Sequence, residues 1–144
     1  MNFLTTTDTS SQIYLDAIEI RKIVFIEEQQ VDESLEIDDL EDKTLHIVGY
    51  KDKSPVCTAR LLKKEDGSVK IQRVAVLAAY RKQGLGKLLL EQIEKIAKEQ
   101  LNASRLVLDS QDHAISFYEK IGYSVEGDGF LDADIPHHFM QKAI

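Results

Sequence analysis

Residues 81–87 combine glycine with positive charge in a pattern that favours binding of an anion. They read Arg81-Lys82-Gln83-Gly84-Leu85-Gly86-Lys87. Glycine lets the backbone approach a ligand closely, and the first N–H groups of a helix lack partners within that helix. Those N–H groups and the helix dipole attract negative charge. The segment predicts a site for a phosphorylated cofactor, although a tight turn whose glycines serve only packing would have the same residues.

A strand must precede this segment and a helix must follow it. The apolar, β-prone run Val74-Ala75-Val76 lies before it, and an apolar stripe at helical spacing lies after it: Leu85, Leu88, Leu89, Ile93, Ile96 and Ala97. The pattern predicts a helix from about Gly84 to Gln100, so the glycines lie where a strand passes into a helix.

The strand that ends at Val76 changes phase along its length. Its apolar residues fall first on odd positions, Val69 and Ile71, and later on even positions, Val74 and Val76. Because a strand alternates faces with a period of two, the slip near Gln72-Arg73 predicts a β-bulge. Such a bulge would bend the strand away from its neighbour and open the sheet beside the glycine segment.

Predicted strands and helices alternate along the rest of the chain. Strands are predicted at Asn2–Thr6, Leu45–Tyr50, Val56–Leu62, Ser68–Val76, Arg105–Leu108, Tyr123–Glu126 and His138–Lys142, and helices at about 11–29 and at His113–Ile121. Residues 32–42 are strongly acidic and are expected to form a loop. This order indicates an α/β or α+β fold built around one sheet.

Composition and charge restrict the class of protein. A chain of 144 residues suits one domain with one core, and its net charge of −7 argues against general nucleic-acid binding. The single cysteine, Cys57, excludes an internal disulfide. No apolar run approaches the roughly 20 residues that span a bilayer, and no signal peptide is visible, so a cytoplasmic protein without a membrane partner is expected. His137 and His138 lack a carboxylate at metal-site spacing, so no metal is predicted.

Two motifs in this order resemble those of the GNAT superfamily of acetyl-CoA-dependent N-acetyltransferases. The first, Q/R-x-x-G-x-G/A, corresponds to Arg81–Gly86, and the second, F-Y-x-K-x-G-F/Y, corresponds to Phe117–Tyr123. Further segments resemble the small bacterial ElaA-like and YjcF-like branch: Val24–Val31, Glu36–Asp39 followed by His46, and Phe130–His137.

The resemblance covers nearly the whole chain and implies one N-acetyltransferase domain over residues 1–144. The implied fold is a mixed, mostly antiparallel sheet of about six to seven strands with about four helices. The sheet would splay into a V between the third and fourth sizeable strands, in agreement with the expected bulge. The implied reaction moves an acetyl group from acetyl-CoA to a primary amine by direct attack in a ternary complex.

The resemblance also implies which residues bind the cofactor. Backbone groups of Val74 and Val76 would bind the pantetheine arm as an added strand does, and an N–H near Val76 would polarise the thioester carbonyl. The glycine segment would bind the pyrophosphate. The full predicted set is Val74, Ala75, Val76, Arg81, Lys82, Gln83, Gly84, Leu85, Gly86, Lys87, Gln111, Phe117 and Lys120, of which Lys120 could equally be an exposed helix lysine.

Tyr118 is the catalytic residue that the resemblance implies. A phenol is protonated at neutral pH and can donate its proton to the departing thiolate. Helical spacing alone would instead indicate a core tyrosine. No general base is assigned: Glu28, Asp109, His113 and His46 are candidates, and a water relay is a further alternative.

Acidic residues between the first helix and the second strand suggest the charge of the acceptor. Phe25, Glu28, Asp38, Asp39 and Arg73 are the predicted substrate-binding residues. Negative charge there would attract a cationic amine, such as a polyamine, an amino sugar or an amino-acid-like amine; a solvated loop is the alternative. A non-catalytic acetyl-CoA-binding regulator is the competing function, and a homodimer is predicted by analogy alone.

Overall fold

The computed structural model describes residues 1–144 and contains one seven-stranded sheet. Its strands are β1 (Asn2–Thr6), β2 (Leu45–Lys51), β3 (Ser54–Lys63), β4 (Ser68–Val76), β5 (Arg105–Gln111), β6 (Ser124–Asp132) and β7 (Ile135–Ala143). They lie in the order β1-β2-β3-β4-β5-β7-β6. Only β4 and β5 pair in parallel, so the predicted mixed, mostly antiparallel sheet is confirmed.

Four helices accompany the sheet. They are α1 (Gln12–Arg21), α2 (Glu33–Glu36), α3 (Leu85–Leu101) and α4 (Ile115–Lys120), and α1 continues as a π-helix over Lys22–Glu28. The Ser11 hydroxyl caps α1 by accepting a hydrogen bond from the Tyr14 N–H. Asn102, with a left-handed φ of 52°, ends α3. No helix combines the length and the apolar character needed to cross a membrane.

Apolar side chains fill both faces of the sheet. On one face, the stripe of α3 that includes Leu89 and Ile93 packs against the sheet residues Leu106 and Met140. On the other face α1 supplies Ala17 and Ile20 and the π-helix supplies Val24, and all three pack against Val48 and Ala75. Burial of this surface is the main force that fixes α1 and α3 against the sheet.

The predicted bulge in β4 is confirmed. Thr58 of β3 lies opposite Ala75, whereas Arg60 lies opposite Gln72, so the single residue between them faces Arg73 and Val74 together. Arg73 has a left-handed φ of 57°, which is uncommon for a residue with a side chain. The bulge therefore bends β4 at residue 73.

The sheet opens immediately beyond the bulge. β4 and β5 pair only from Ser68–Arg105 to Ile71–Leu108, whereas β4 stays paired with β3 as far as Val76. The last residues of β4 and β5 therefore separate into a V, as the resemblance implies.

The structure differs from the sequence expectations in the first helix, the acidic run and the last three strands. The first helix ends at Glu28 as expected, but its last seven residues form a π-helix in which the Gln29 N–H donates to the Val24 carbonyl. The acidic run contains α2 and a 3₁₀ turn at Glu41–Lys43 in place of a plain loop. Strands β5, β6 and β7 are longer than predicted. Pairing with neighbouring strands extends them into polar stretches that show no apolar alternation.

Candidate active site

The V between β4 and β5 forms a cleft of about 580 Å³. The two strands supply its walls, and the π-helix, α2, α4 and the β6–β7 hairpin close its ends. The predicted site residues that line it are Phe25, Glu28, Arg73, Val74, Ala75, Val76, Arg81, Gly86, Gln111, Phe117 and Tyr118. The structure thus brings together residues that lie far apart in the chain.

The glycine segment lies where the helix begins, as predicted. Gly84 has a left-handed φ of 79° and precedes α3, whose first turn has no side-chain cap. Its unused N–H groups are therefore available to an anion. At Gly86 a Cβ would lie 3.2 Å from Cζ of Phe117, so glycine keeps the helix close to α4. Lys82, Gln83, Gly84 and Lys87 are exposed around this turn, and Leu85 is buried beneath it.

Val76 presents backbone groups to the open side of β4. The N–H of Leu77 donates to the Val56 carbonyl of β3. Because peptide groups alternate along a strand, the N–H and carbonyl of Val76 point the other way, toward the cleft. The Val76 carbonyl accepts a hydrogen bond from Nε of Arg81 at 2.8 Å, and Arg81 also forms an ion pair with Glu28 at 2.9 Å.

Tyr118 lies on α4 with 8% of its surface exposed. Its ring packs edge-on against Phe117 and Tyr123 at centroid distances of 5.1 and 5.6 Å. Its hydroxyl makes no hydrogen bond, yet it is not fully buried. The only fully buried side-chain polar atom without a hydrogen-bond partner is Nδ1 of His46. The hydroxyl therefore keeps some exposure, and Tyr118 lines the cleft. Burial raises the pKa of Tyr118 to about 12, so the phenol keeps its proton at neutral pH.

Gln111 bridges the two sides of the cleft. Its Nε2 donates to Oε1 of Gln29, at the end of the π-helix, over 2.9 Å. Its Oε1 lies 2.6 Å from Nε2 of His113. The side chain is therefore held at the mouth of the V, between the two strands that separate.

The acidic run lies beside the cleft, and three of its seven carboxylates are paired with cations. Three of its carboxylates, Glu36, Asp38 and Glu41, form ion pairs of 2.7–3.3 Å with three arginines: Arg21, Arg60 and Arg73. Asp38 and Asp39 do not line the cleft. The structure therefore does not place the predicted substrate-binding residues Asp38 and Asp39 at the cleft.

The candidate bases have different surroundings. Glu28 is paired with Arg81, and Asp109 is paired with Lys70 at 3.1 Å. His46 lies outside the cleft, where its Nε2 contacts the Glu41 carbonyl at 2.8 Å. His113 lines the cleft, but so does His137, which sequence reasoning considered only as a metal ligand. Its cross-strand position opposite Gln111 depends on a register that the sequence pattern does not show.

Known proteins share this architecture. Residues 13–144 match the family model described as an acetyltransferase (GNAT) domain. The chain belongs to the GNAT acetyltransferase family. It is 41% identical to the uncharacterized N-acetyltransferase YjcF of Bacillus subtilis, over 88% of this chain and 90% of YjcF. It is 29% identical to ElaA of Escherichia coli, over 93% and 89% of the two chains.

Solved structures of GNAT proteins superpose on the whole chain. An acyl-CoA N-acyltransferase from Pseudomonas aeruginosa aligns with a TM-score of 0.87 at 26% identity, covering 99% of this chain and 100% of that one. An aminoglycoside 6'-N-acetyltransferase complexed with coenzyme A aligns with a TM-score of 0.73 at 16% identity, covering 99% and 97%. The resemblance to the YjcF-like and ElaA-like branch is confirmed, and this GNAT protein is an acyltransferase.

Proposed function

We propose that this GNAT protein transfers the acetyl group of acetyl-CoA to a small, cationic primary amine by direct attack within the V. The observation that carries the proposal is the separation of β4 from β5 with the N-terminus of α3 at its mouth. The unpaired edge of β4 suits the amide-containing arm of coenzyme A. The uncapped N-terminus of α3 suits its pyrophosphate.

The cofactor would lie along β4 with its pyrophosphate at the glycine segment. The N–H of Val76 would donate to the thioester carbonyl, and the negative charge that develops there in the transition state strengthens such a bond. Arg81 would have to release the Val76 carbonyl for a pantetheine amide to reach it. The neighbouring exposed Lys82 and Lys87 add positive charge near the phosphates.

Tyr118 would protonate the leaving thiolate. Its hydroxyl is unpaired and not fully buried, the residue lines the cleft, and the phenol keeps its proton at neutral pH, which suits a general acid. Gln111, Phe117 and Lys120 are the further cofactor contacts that we propose on the side of β5 and α4.

The acceptor would enter from the side of Phe25, Glu28 and Arg73. The acidic run would contribute little charge at the cleft, because Glu36, its only acidic residue that lines the cleft, is paired with Arg21 and Arg73. Attraction of a cation would instead come from Asp132, which lines the cleft without an ion partner, and from the net charge of −7.

A thiol-release assay with acetyl-CoA and a panel of amines tests this function. We expect thiol release that depends on an amine, and N-acetylated product by mass spectrometry. Coenzyme A should inhibit by competition, whereas NAD and ATP should not. Acetyl-CoA binding without release by any amine would contradict the enzymatic function and favour the regulator.

A further inference from the structure

His137 lies on the opposite face of the sheet from Tyr118. Leu108 and its partner Met140 belong to the core beneath α3, as does Tyr118. Since side chains alternate along a strand and directly paired residues share a face, Gln111 and His137 point to the other face. His137 and Tyr118 both line the cleft, so they reach it from two sides.

The hydrogen bond of His137 fixes its tautomer. Nδ1 lies 2.6 Å from the Ile135 carbonyl oxygen, which can only accept, so Nδ1 carries the proton. In a neutral imidazole the lone pair is then on Nε2. The Phe130 ring stacks on the imidazole at 5.9 Å with an interplanar angle of 18°, so two contacts hold the ring in place.

The lone pair of His137 is free, and the residue lines the cleft. Only 8% of the residue is exposed, and its Nε2 makes no hydrogen bond. Nε2 is not fully buried, since the only fully buried side-chain polar atom without a hydrogen-bond partner belongs to His46. The free lone pair of Nε2 can therefore accept a proton or a hydrogen bond from a molecule that enters the cleft.

The other basic groups that line the cleft are either paired with a cation or exposed, and Asp132, which has no ion partner, is among the exposed ones. Glu28 and Asp109 are held by the cations of Arg81 and Lys70. Nε2 of His113 is bound to Gln111, and His113 is exposed. His137 alone combines burial, a fixed tautomer and a free lone pair.

We infer that Nε2 of His137 is the general base that deprotonates the acceptor amine; this rests on the proposed acetyl transfer. An alkylammonium first gives one proton to Nε2. The freed lone pair on nitrogen then forms the C–N bond to the thioester carbonyl carbon, and the C–S bond breaks with its electron pair kept by sulfur. Nitrogen gives its second proton to water as the amide forms, while the thiolate takes one from Tyr118, which that protonated water restores. In sum, one proton stays on the thiol and one passes through His137 to solvent.

The test compares His137→Asn with the native enzyme on two acceptors of similar shape. Asparagine can still donate from Nδ2 to the Ile135 carbonyl, so the hairpin keeps its contact. Benzylamine is protonated at pH 7, whereas O-benzylhydroxylamine is neutral. We expect kcat/KM for benzylamine to fall about 10²–10³-fold, the size of a lost general base, and for O-benzylhydroxylamine to fall less than about tenfold. Equal losses for both acceptors would show a structural role and overturn the inference.

His138→Asn is the matched control. Its ring faces the side of the sheet opposite to His137 and pairs with Asp112 at 2.6 Å, so kcat/KM should stay within about threefold of the native value. Undiminished turnover in His137→Asn would overturn the base role alone. Native enzyme that binds acetyl-CoA and acetylates no amine would overturn the proposed function and the base with it.

Nitrogen-15 NMR tests the tautomer without any acceptor. We expect the His137 signals to show a proton on Nδ1 and a lone pair on Nε2, with the Nε2 signal shifting when acetyl-CoA and a non-reactive amine analogue are added together. A proton on Nε2 in the neutral ring would contradict the inference.

Discussion

At the scale of single residues, the proposed proton donor and proton acceptor lie on opposite faces of the sheet. Tyr118 is buried among aromatic rings beneath α3, and burial raises its pKa to about 12. A group with a raised pKa loses its proton only as the pH rises through that value. Tyr118 therefore remains a proton donor over the whole range in which the amine substrate becomes neutral.

Tyr118→Phe should lower kcat by roughly 10²-fold, because the leaving thiolate loses its proton donor. The Kd of acetyl-CoA should change little, since the hydroxyl makes no hydrogen bond in the free protein. Steady-state kinetics and calorimetry measure the two quantities. Tyr123→Phe is the control: Tyr123 is an equally buried tyrosine beside Tyr118 that does not line the cleft. A Tyr118→Phe enzyme with native kcat would remove Tyr118 as the acid.

The sequence located Tyr118 but not His137. The motif at Phe117–Tyr123 marks the tyrosine, and the apolar stripe of its helix correctly indicates burial. His137 depends on the β5–β7 register, the Ile135 carbonyl and the Phe130 ring. None of these contacts leaves a periodic pattern in the chain, so only the fold reveals this imidazole.

At the scale of elements, one bulge opens the sheet. The phase slip between Ile71 and Val74 identified it, because apolar alternation is a direct record of which face a strand buries. The slip did not show that Arg73 adopts a left-handed φ of 57°. Nor did it show that the Arg73 side chain donates hydrogen bonds to the Leu35 and Glu36 carbonyls and to the Asp38 carboxylate.

Two substitutions of Arg73 should separate the energetic cost of its backbone conformation from the contribution of its side-chain contacts. Both Arg73→Ala and Arg73→Gly lose the contacts with residues 35–38, but only glycine relieves the left-handed φ. Arg73→Gly should therefore be more stable than Arg73→Ala by about 1 kcal/mol. Urea denaturation of the two variants measures this difference. Equal stabilities would mean that the bulge changes its conformation when the side chain is lost.

At the scale of the whole molecule, buried ion pairs join α1, the acidic run and the sheet. Arg21 and Arg60 are each 1% exposed and share Glu41 between them. Sequence alone suggested a solvated or substrate-binding acidic run, because its arginine partners lie on α1, β3 and β4, 15 to 37 residues away. Long-range pairing of charges depends on strand order, which charge patterns do not encode.

Arg21→Met should lower the free energy of unfolding by about 3–5 kcal/mol, because it leaves Glu36 and Glu41 buried with less compensation. Arg105→Met is the matched control. The Arg105–Asp66 pair has side chains that are 44% and 60% exposed, so its loss should cost under about 1 kcal/mol. Chemical denaturation at pH 7 provides both values, and similar losses in the two variants would contradict a structural role for the buried pairs.

The destabilisation by Arg21→Met should shrink in acid. Burial opposes ionisation of Glu41, but the hydrogen bonds and charge of Arg21 outweigh it, so the pKa of Glu41 lies below its ordinary 4.5. Stability from such a carboxylate is present above the unfolded pKa and is lost as the pH falls through the lower folded pKa. Denaturation at pH 3 should therefore show a smaller difference between Arg21→Met and the native protein than at pH 7; a constant difference would contradict this linkage.

We propose that the acetyl group passes directly from the thioester to the amine within the V. The chain offers no obvious residue that could carry the acetyl group covalently. Cys57, its only cysteine, is fully buried, and burial raises the pKa of its thiol to about 11. The most direct measurement is the initial-rate pattern with both substrates varied, using whichever amine the panel identifies. We predict intersecting double-reciprocal lines and no thiol release before the amine is added, as a ternary complex requires. Parallel lines with a stoichiometric burst of thiol and an acetylated enzyme would contradict direct transfer.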